Sequence, residues 1–383
     1  MTAAVAAQDG RIERGVYESR MGSRVVAVEE LPGWTDPESG ARIVQLTSRA
    51  VTSSNVHMEQ RFASTDGRRI VIQRFPFSRP PEVWVGDLSR RMVLRIGEGK
   101  ALTASHSRNA VYYVVLDVDE AKARLMRLDL ADLSTRVAFQ FDQNQAPRKG
   151  VVSADEHWFV GGTFPIGDDV YRLTRIDLRN GKADTLCEIR DMWNPHLQID
   201  PGNPRRLLVQ INRNGASGAT LAVVDVATGE VKPLRVGKPH TPLLSGHETW
   251  AGRSGRVIFT VAPGGPKSPV SDRGIYAISP SDDRAKPIAL GQPFNHLAVS
   301  DDGKFFIVDH HRTQEIFVGG IDTGRFQKLC ESRTRQGRPQ TSHAHPYMTP
   351  NNRHVIFNSN ITGVAQVYAA QIPDGFLQKL TAP

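Results

Sequence analysis

The chain has very few cysteines: two in 383 residues, Cys187 and Cys330. Neither has partners at the short spacings of a zinc site, and two thiols cannot build a disulfide framework. Each closes a similar phrase, "ADTLCEI" and "FQKLCES", so we read them as buried thiols at matching positions of two repeats. No apolar run approaches the about 20 residues needed to span a bilayer as a helix. The opening "MTAAVAAQDG" lacks a basic start followed by an apolar stretch. That pattern predicts a cytoplasmic protein, or a periplasmic one if "AAVAAQ" is the remnant of a trimmed signal. Helical periodicity is almost absent too, and no convincingly capped amphipathic segment stands out.

Lys and Arg outnumber Asp and Glu by 48 to 40, for a net charge of +8. An excess of this sign favours polyanions, acidic sugars as well as nucleic acids. The chain has no RNP motif, no zinc finger and no basic stripe with interleaved aromatics, so nucleic acid is not an expected partner.

What it does have is a repeat. "QRFASTDGRRIVIQ", "GVVSADEHWFVGG", "HLQIDPGNPRRLLVQ", "HLAVSDDGKFFIVD" and "HPYMTPNNRHVIFNS" each run a short strand into a turn of Asp, Gly, Asn or Pro and out into a β-branched strand. "TASHSRNAVYYVVLD" and "HETWAGRSGRVIFT" are looser copies, which makes seven. A second strand pair follows each copy, as in "RLTRIDLRNGKADTLC", "LAVVDVATGEVKPL" and, at the end, "QVYAAQIPDGFLQKL". Four short antiparallel strands every ~40–50 residues is the signature of propeller blades. The expected fold is therefore all-β: a seven-bladed β-propeller forming one domain over residues 21–383, after an N-terminal arm at residues 1–20. "GARIVQLTSR" precedes the first full copy and is expected to help close the ring, because a propeller otherwise leaves its first and last blades unpaired.

Aligned on their turns, the copies bring His196, His247, His296 and His345 to one register. Successive separations are 51, 49 and 49 residues, one blade each. The first strand of a blade is innermost, so these side chains are expected at one mouth of the central channel. The other blades carry Gln60, Leu102 and Lys149 there. His343 lies two residues before His345, on the same face of an extended chain, with Gln340 just upstream. His57 and His106 lie near the same end of their units. Any one such histidine could merely cap a strand. Several at a shared mouth fit a metal better, because imidazole is the commonest protein ligand for metals.

His296, Gln340, His343 and His345 are thus the expected metal ligands. With no carboxylate among them the cation keeps its full charge and suits an anionic substrate. Beside a substrate carboxylate held there, His247, one blade earlier, is placed to take the proton on the adjacent carbon. Lys149 and Arg213 are expected to hold the rest of a polyanion, with His57 and His196 also facing substrate. For a uronic-acid sugar this chemistry is β-elimination. The rival reading is a non-catalytic propeller scaffold or binding protein, since fold alone does not settle function. Hydrolysis by paired carboxylates has little support: Asp301 and Asp302 belong to a repeat turn, and Glu248 is expected on the strand face opposite His247.

The phrases "NPHLQIDPGNPRRLLVQ", "GHETW", "FNHLAVSDDGKFFIVD" and "QTSHAHPYMTPNNRHVIFNSNITGVAQVY" resemble the oligogalacturonate lyases, seven-bladed propeller enzymes of pectin breakdown. The resemblance runs from about residue 20 to the end. It implies that Gln340, His343, His345 and His296 bind Mn2+ (or another divalent cation), which engages the substrate carboxylate. It also implies that His247 is the base and that the products are unsaturated uronates cut from short oligogalacturonides inside the cell. One departure stands out. The family has an arginine in the fourth-blade region that helps neutralise the substrate, whereas "QINRNGASGATLAVVD" offers only Arg213, out of place. Lys149, Arg61 and Arg253 are the candidates to replace its charge.

Overall fold

The computed structural model describes residues 17–21, 24–105, 107–163, 170–212, 219–261, 272–335 and 339–382. These fold into seven antiparallel sheets that follow one another in chain order around a central channel. The strands are short because a turn of Asp, Asn or Gly recurs between them. In "SDDG", for example, the Ser300 hydroxyl donates to Asp302, the amide of Gly303 reaches Ser300 O, and Gly303 takes φ +71°, which a residue without Cβ adopts freely.

Blade 6 shows the common plan: Phe294–Val299, Phe305–His310, Glu315–Gly320 and Phe326–Glu331, paired in that order. The middle strands are buried on both faces, so alternate residues feed different cores. In the fourth blade Leu207 and Val209 join a cluster with Val151 and Leu173 of the third. Leu208 points the other way, to Val257 and Phe259 of the fifth. At about 25 cal/mol per Å2, these interblade layers supply the main stabilisation, and they set the radial direction of every inner strand.

The ring closes as expected from its N-terminal segment. Arg42–Gln45 pairs antiparallel with Gln366–Gln371, in the register Tyr368↔Gln45, Ala369↔Val44 and Ala370↔Ile43, and Leu31–Thr35 lies outside it. Those two strands take the outer places of the seventh blade. The end of the chain, expected as a strand, is instead the short helix Phe376–Thr381. With the edge of Gln366–Gln371 already paired by Arg42–Gln45, "FLQKLT" turns into a helix that buries Phe376 and Leu380, four residues apart and so on one helical face. At the other end, Tyr17–Met21 pairs with Arg24–Val28, which extends the outer edge of the first blade. The last residues of the segment read as an arm thus belong to a strand.

Cys187 and Cys330 are free and lie on the fourth strands of blades 3 and 6, the matching positions that their phrases implied; Cys330 is buried as expected, whereas Cys187 is only half-buried.

Candidate metal centre and channel mouth

Residues that open a blade's inner strand sit beside the channel, and the register of histidines becomes a cluster there. Ring centroids run His57 to His196 at 5.8 Å, His196 to His247 at 6.1 Å, His247 to His296 at 4.5 Å, His296 to His345 at 4.3 Å and His345 back to His57 at 5.0 Å. His343 joins from 5.2 Å of His296 and 5.6 Å of His345. Blades 1, 4, 5, 6 and 7 all contribute.

The backbone is bent to achieve this. His196 and His345 have φ of 45° and 43°, and Val56, next to His57, has 71°. A non-glycine residue in this left-handed region costs on the order of 1–3 kcal/mol and persists only where the surroundings impose it. For His345 the surroundings are visible. Asn55 Nδ2 donates to His345 O at 2.7 Å, and Asn358 Nδ2 donates to His343 O at 3.2 Å. Asn358 Oδ1 in turn accepts from the Asn55 amide at 2.8 Å. Two buried asparagines from blades 1 and 7 therefore clamp the His-Ala-His segment.

His296, His343 and His345 bring one ring nitrogen each within 4.8 Å of one another. His343 Nδ1 and His296 Nε2 are 3.3 Å apart. Ligands at neighbouring positions around one ion, with metal–nitrogen bonds of about 2.1 Å, lie roughly 3.0–3.5 Å apart, so this triad could hold a divalent cation. The tautomer also fits. His296 Nδ1 is 2.8 Å from Asp309 Oδ2, while Asp309 Oδ1 accepts from the His296 amide at 2.8 Å. An acceptor-only carboxylate keeps the proton on Nδ1 and leaves the Nε2 lone pair facing the cluster. Burial, then the neighbouring imidazoles, pushes His345 well below the ordinary histidine range, so it too presents a neutral ring.

Gln340 sits in the turn Gln340–Ser342 and lines the adjoining cavity with His345. Its side chain is exposed and has no hydrogen-bond partner among the described residues. His247 holds Ser245 Oγ at 3.3 Å from Nδ1. Its Nε2 has no hydrogen bond among the described residues, and burial, then His296 and His196, keep the ring neutral.

The cavity extends from His345 toward blades 1 to 3. Its lining includes His57, Glu59, His196 and three cations, Lys100, Arg148 and Lys149. Lys149, expected from the register, opens the inner strand Lys149–Val152, and Lys100 opens Lys100–Ser105 of the preceding blade. Burial, then Lys149 and Arg148, lower the Lys100 pKa: positive charges are gathered on this wall. Arg213 lies outside the described residues, as does His106. Arg61 and Arg253 do not face this cavity. They line a second, small one with Met58, Trp250 and Asp301, and Arg61 forms an ion pair with Asp301.

Sequence reasoning did not anticipate Lys100, Arg148, Glu59 or Asp309. Glu59 was detectable in principle, because in "HMEQ" it stands two residues after His57, on the same side of an extended chain. Glu59 is paired with His196 Nδ1 and lies 3.5 Å from His57 Nδ1. Burial opposes its charge, but His196 and His57 outweigh burial and bring it down to about 2. Glu248 is fully buried, as its strand face implied, with both oxygens accepting from Gln210 Nε2 at 3.2 and 3.0 Å.

No protein-family model matches the chain. Two curated relatives do. The oligogalacturonide lyase of Pectobacterium atrosepticum is 22% identical, over 89% of this chain and 96% of its own. The oligogalacturonate lyase of Dickeya dadantii is 22% identical, over 90% and 97%. The chain is related to the oligogalacturonate lyases. Among solved structures, an oligogalacturonate lyase in complex with manganese superposes with a TM-score of 0.73 at 19% identity, covering 91% of this chain and 99% of that one. The oligogalacturonate lyase from Vibrio parahaemolyticus gives 0.73 and 19%, over 92% and 99%. The fold agreement is thus end to end, without the interruption a missing blade would leave.

Proposed function

We propose that this protein is a metal-dependent lyase that cuts short uronic-acid oligosaccharides, oligogalacturonides foremost, by β-elimination to unsaturated uronates. The observation that carries the proposal is the facing arrangement of the channel mouth: a carboxylate-free histidine triad on blades 6 and 7, and a cationic wall on blades 2 and 3.

His296, His343 and His345 are the ligands, with Gln340 joining from the rim, and manganese is the metal carried by the similar lyase structure. When bound, a divalent cation polarises a carboxylate and acidifies the C–H beside it. The chain's own groups do the rest. His247, next to His296, offers a neutral Nε2 free to take the C5 proton. Lys149, Lys100 and Arg148 hold the remaining carboxylates of the oligomer, a task that Arg213 was expected to share. His57 lines the same cavity, and its ring, kept uncharged by burial, presents a neutral hydrogen-bonding edge to the sugar. At the histidine end, where His296 and His345 are buried, the lower exposure to water strengthens each electrostatic contact.

The test is ultraviolet absorbance during incubation with di- and trigalacturonate, with Mn2+ added and again after chelation. Elimination creates a conjugated double bond that absorbs; hydrolysis or simple binding does not. A chelator-sensitive rise is expected. No rise on these or other oligouronates, with no metal retained by the protein, leaves the scaffold reading in its place.

A further inference from the structure

Three buried ionisable groups at the mouth have no part in the scheme so far: Glu59, His196 and Glu248. His196 is 7% exposed and Glu248 0%. His196 Nδ1 is ion-paired with Glu59 and lies 3.5 Å from Glu248 Oε1. Glu59, ionised and away from water, favours a proton on both ring nitrogens, because a buried carboxylate without a counter-charge is costly; Glu248, which burial pushes up to about 7, adds to this as it ionises. Burial and Lys149 oppose that charge, while Glu59 and Glu248 outweigh them and raise the His196 pKa. The other nitrogen, Nε2, is 2.5 Å from the Asn194 side-chain amide. A side-chain amide can turn either end to a ring nitrogen, so its oxygen can accept from an imidazolium. The ring borders the cavity and stands one blade from His247, 6.1 Å away.

We propose that His196 is the general acid of the elimination, with Nε2–H delivered to the leaving glycosidic oxygen and Glu59 as the positioning residue that holds the proton on the ring. This rests on the lyase reading. In the step, His247 Nε2 takes the proton from C5, and the C–H electron pair becomes the second bond of C4=C5. The C4–O bond breaks with its pair on oxygen, and that oxygen takes the Nε2 proton of His196 in place of the Asn194 contact. His247 ends protonated and His196 neutral. The two rings sit on neighbouring blades, so one proton passed between them through water resets the site. The pairing of Glu59 with Nδ1 parallels the logic by which a buried carboxylate orients and charges the histidine of a hydrolytic triad.

The experiment compares His196→Gln with the wild type on trigalacturonate and on a galacturonate bearing 4-nitrophenol as its leaving group at O4. The aryl oxygen leaves without a proton. On trigalacturonate the variant should lose about 100-fold or more in kcat, the usual worth of a positioned acid, with KM changed by less than about threefold. On the aryl ether the loss should stay under about threefold. Metal content should match the wild type, and the variant should remain folded with a lowered melting temperature, because Glu59 loses its counter-charge. Glu59→Gln should move the alkaline limb of the kcat profile on trigalacturonate to lower pH, because His196 then faces Glu248, His57, Lys149 and His247 without its main counter-charge. If His196→Gln does not fold, that shift alone decides. Equal losses on both substrates, a loss confined to KM, or an unmoved alkaline limb would overturn the assignment. Wild-type protein that releases unsaturated product from neither substrate would instead remove the lyase reading, and this inference with it.

Discussion

Replacing Asp309 by Asn tests the metal centre without touching a ligand. Asp309 is fully buried, and its two oxygens serve two donors, the His296 amide and His296 Nδ1, each at 2.8 Å. Asparagine has the same shape and only one acceptor. The backbone amide cannot change its proton, so the Asn oxygen must stay with it, and the Asn NH2 then faces Nδ1. That Nδ1 can accept only if the imidazole proton moves to Nε2, the nitrogen aimed at His343 and His345. Asp309→Asn thus blocks one of three ligands through its tautomer. Altering the partner of a ligating histidine usually costs 10–100-fold in metal affinity, or about 1.4–2.7 kcal/mol, and we expect a loss at or above the top of that range. Calorimetric titration of metal-free wild type and variant with Mn2+ measures it, alongside thermal melts to show that both are folded. A dissociation constant within about threefold of wild type would refute the tautomer argument and the assignment of His296 as a ligand.

His345→Ala should leave protein that retains little Mn2+ after dialysis, whereas His247→Asn should retain the wild-type amount and produce no unsaturated product; metal analysis separates base from ligand. The pair Lys100→Gln and Lys149→Gln should raise KM for trigalacturonate about tenfold or more, with a smaller change in kcat, and should flatten the dependence of kcat/KM on salt. Stability should also carry a signature of Glu59. Its folded pKa, about 2, is below the value of 4.5 for a free glutamate. Its stabilising effect is therefore complete above pH 4.5 and is lost as pH falls through 2. In urea unfolding, wild type should exceed Glu59→Gln by on the order of 2 kcal/mol at pH 6, and the gap should narrow by pH 3. A constant gap would show that Glu59 is not held ionised by the histidines.

The propeller was legible because its periodicity is carried by chemistry that a sequence shows directly: Asp-Gly and Asn-rich turns between β-branched runs, seven times over. Histidine register was legible for the same reason, since one blade length separates residues that share a position around the axis. Contacts made across blades or between strands of a hairpin were less so. Asp309 reaches His296 from the second strand of the same blade, and nothing in "FFIVDHH" marks that aspartate off from those in the turns. Lys100 sits one blade before Lys149, in a copy whose register residue, Leu102, is apolar. Arg61 misled because it is adjacent to Gln60 in sequence, yet its side chain runs to Asp301 and a different cavity. The C-terminal helix escaped notice because "LQKL" can pattern as strand or helix, and only the prior occupation of the outer edge by Arg42–Gln45 decides between them.

The distribution of charge around the channel ties these observations together. The triad turns ring nitrogens of His296, His343 and His345 toward one point with no carboxylate between them, an arrangement that suits a cation. On the opposite wall, Lys149 and Arg148 lie close enough to Lys100 to disfavour its charge. A polyanion that bridges the two sides, with a cation under one of its carboxylates, satisfies both at once. Of the nearby carboxylates, Asp309 meets His296 only at Nδ1, the side away from the triad, while Glu59 and Glu248 are engaged by His196 and Gln210. A scaffold propeller has no need to separate its charges in this way. If the double lysine substitution and the removal of metal prove to weaken trigalacturonate binding independently, with additive free energies, then the two walls act on separate substrate carboxylates; strong coupling between them would mean that they compete for one.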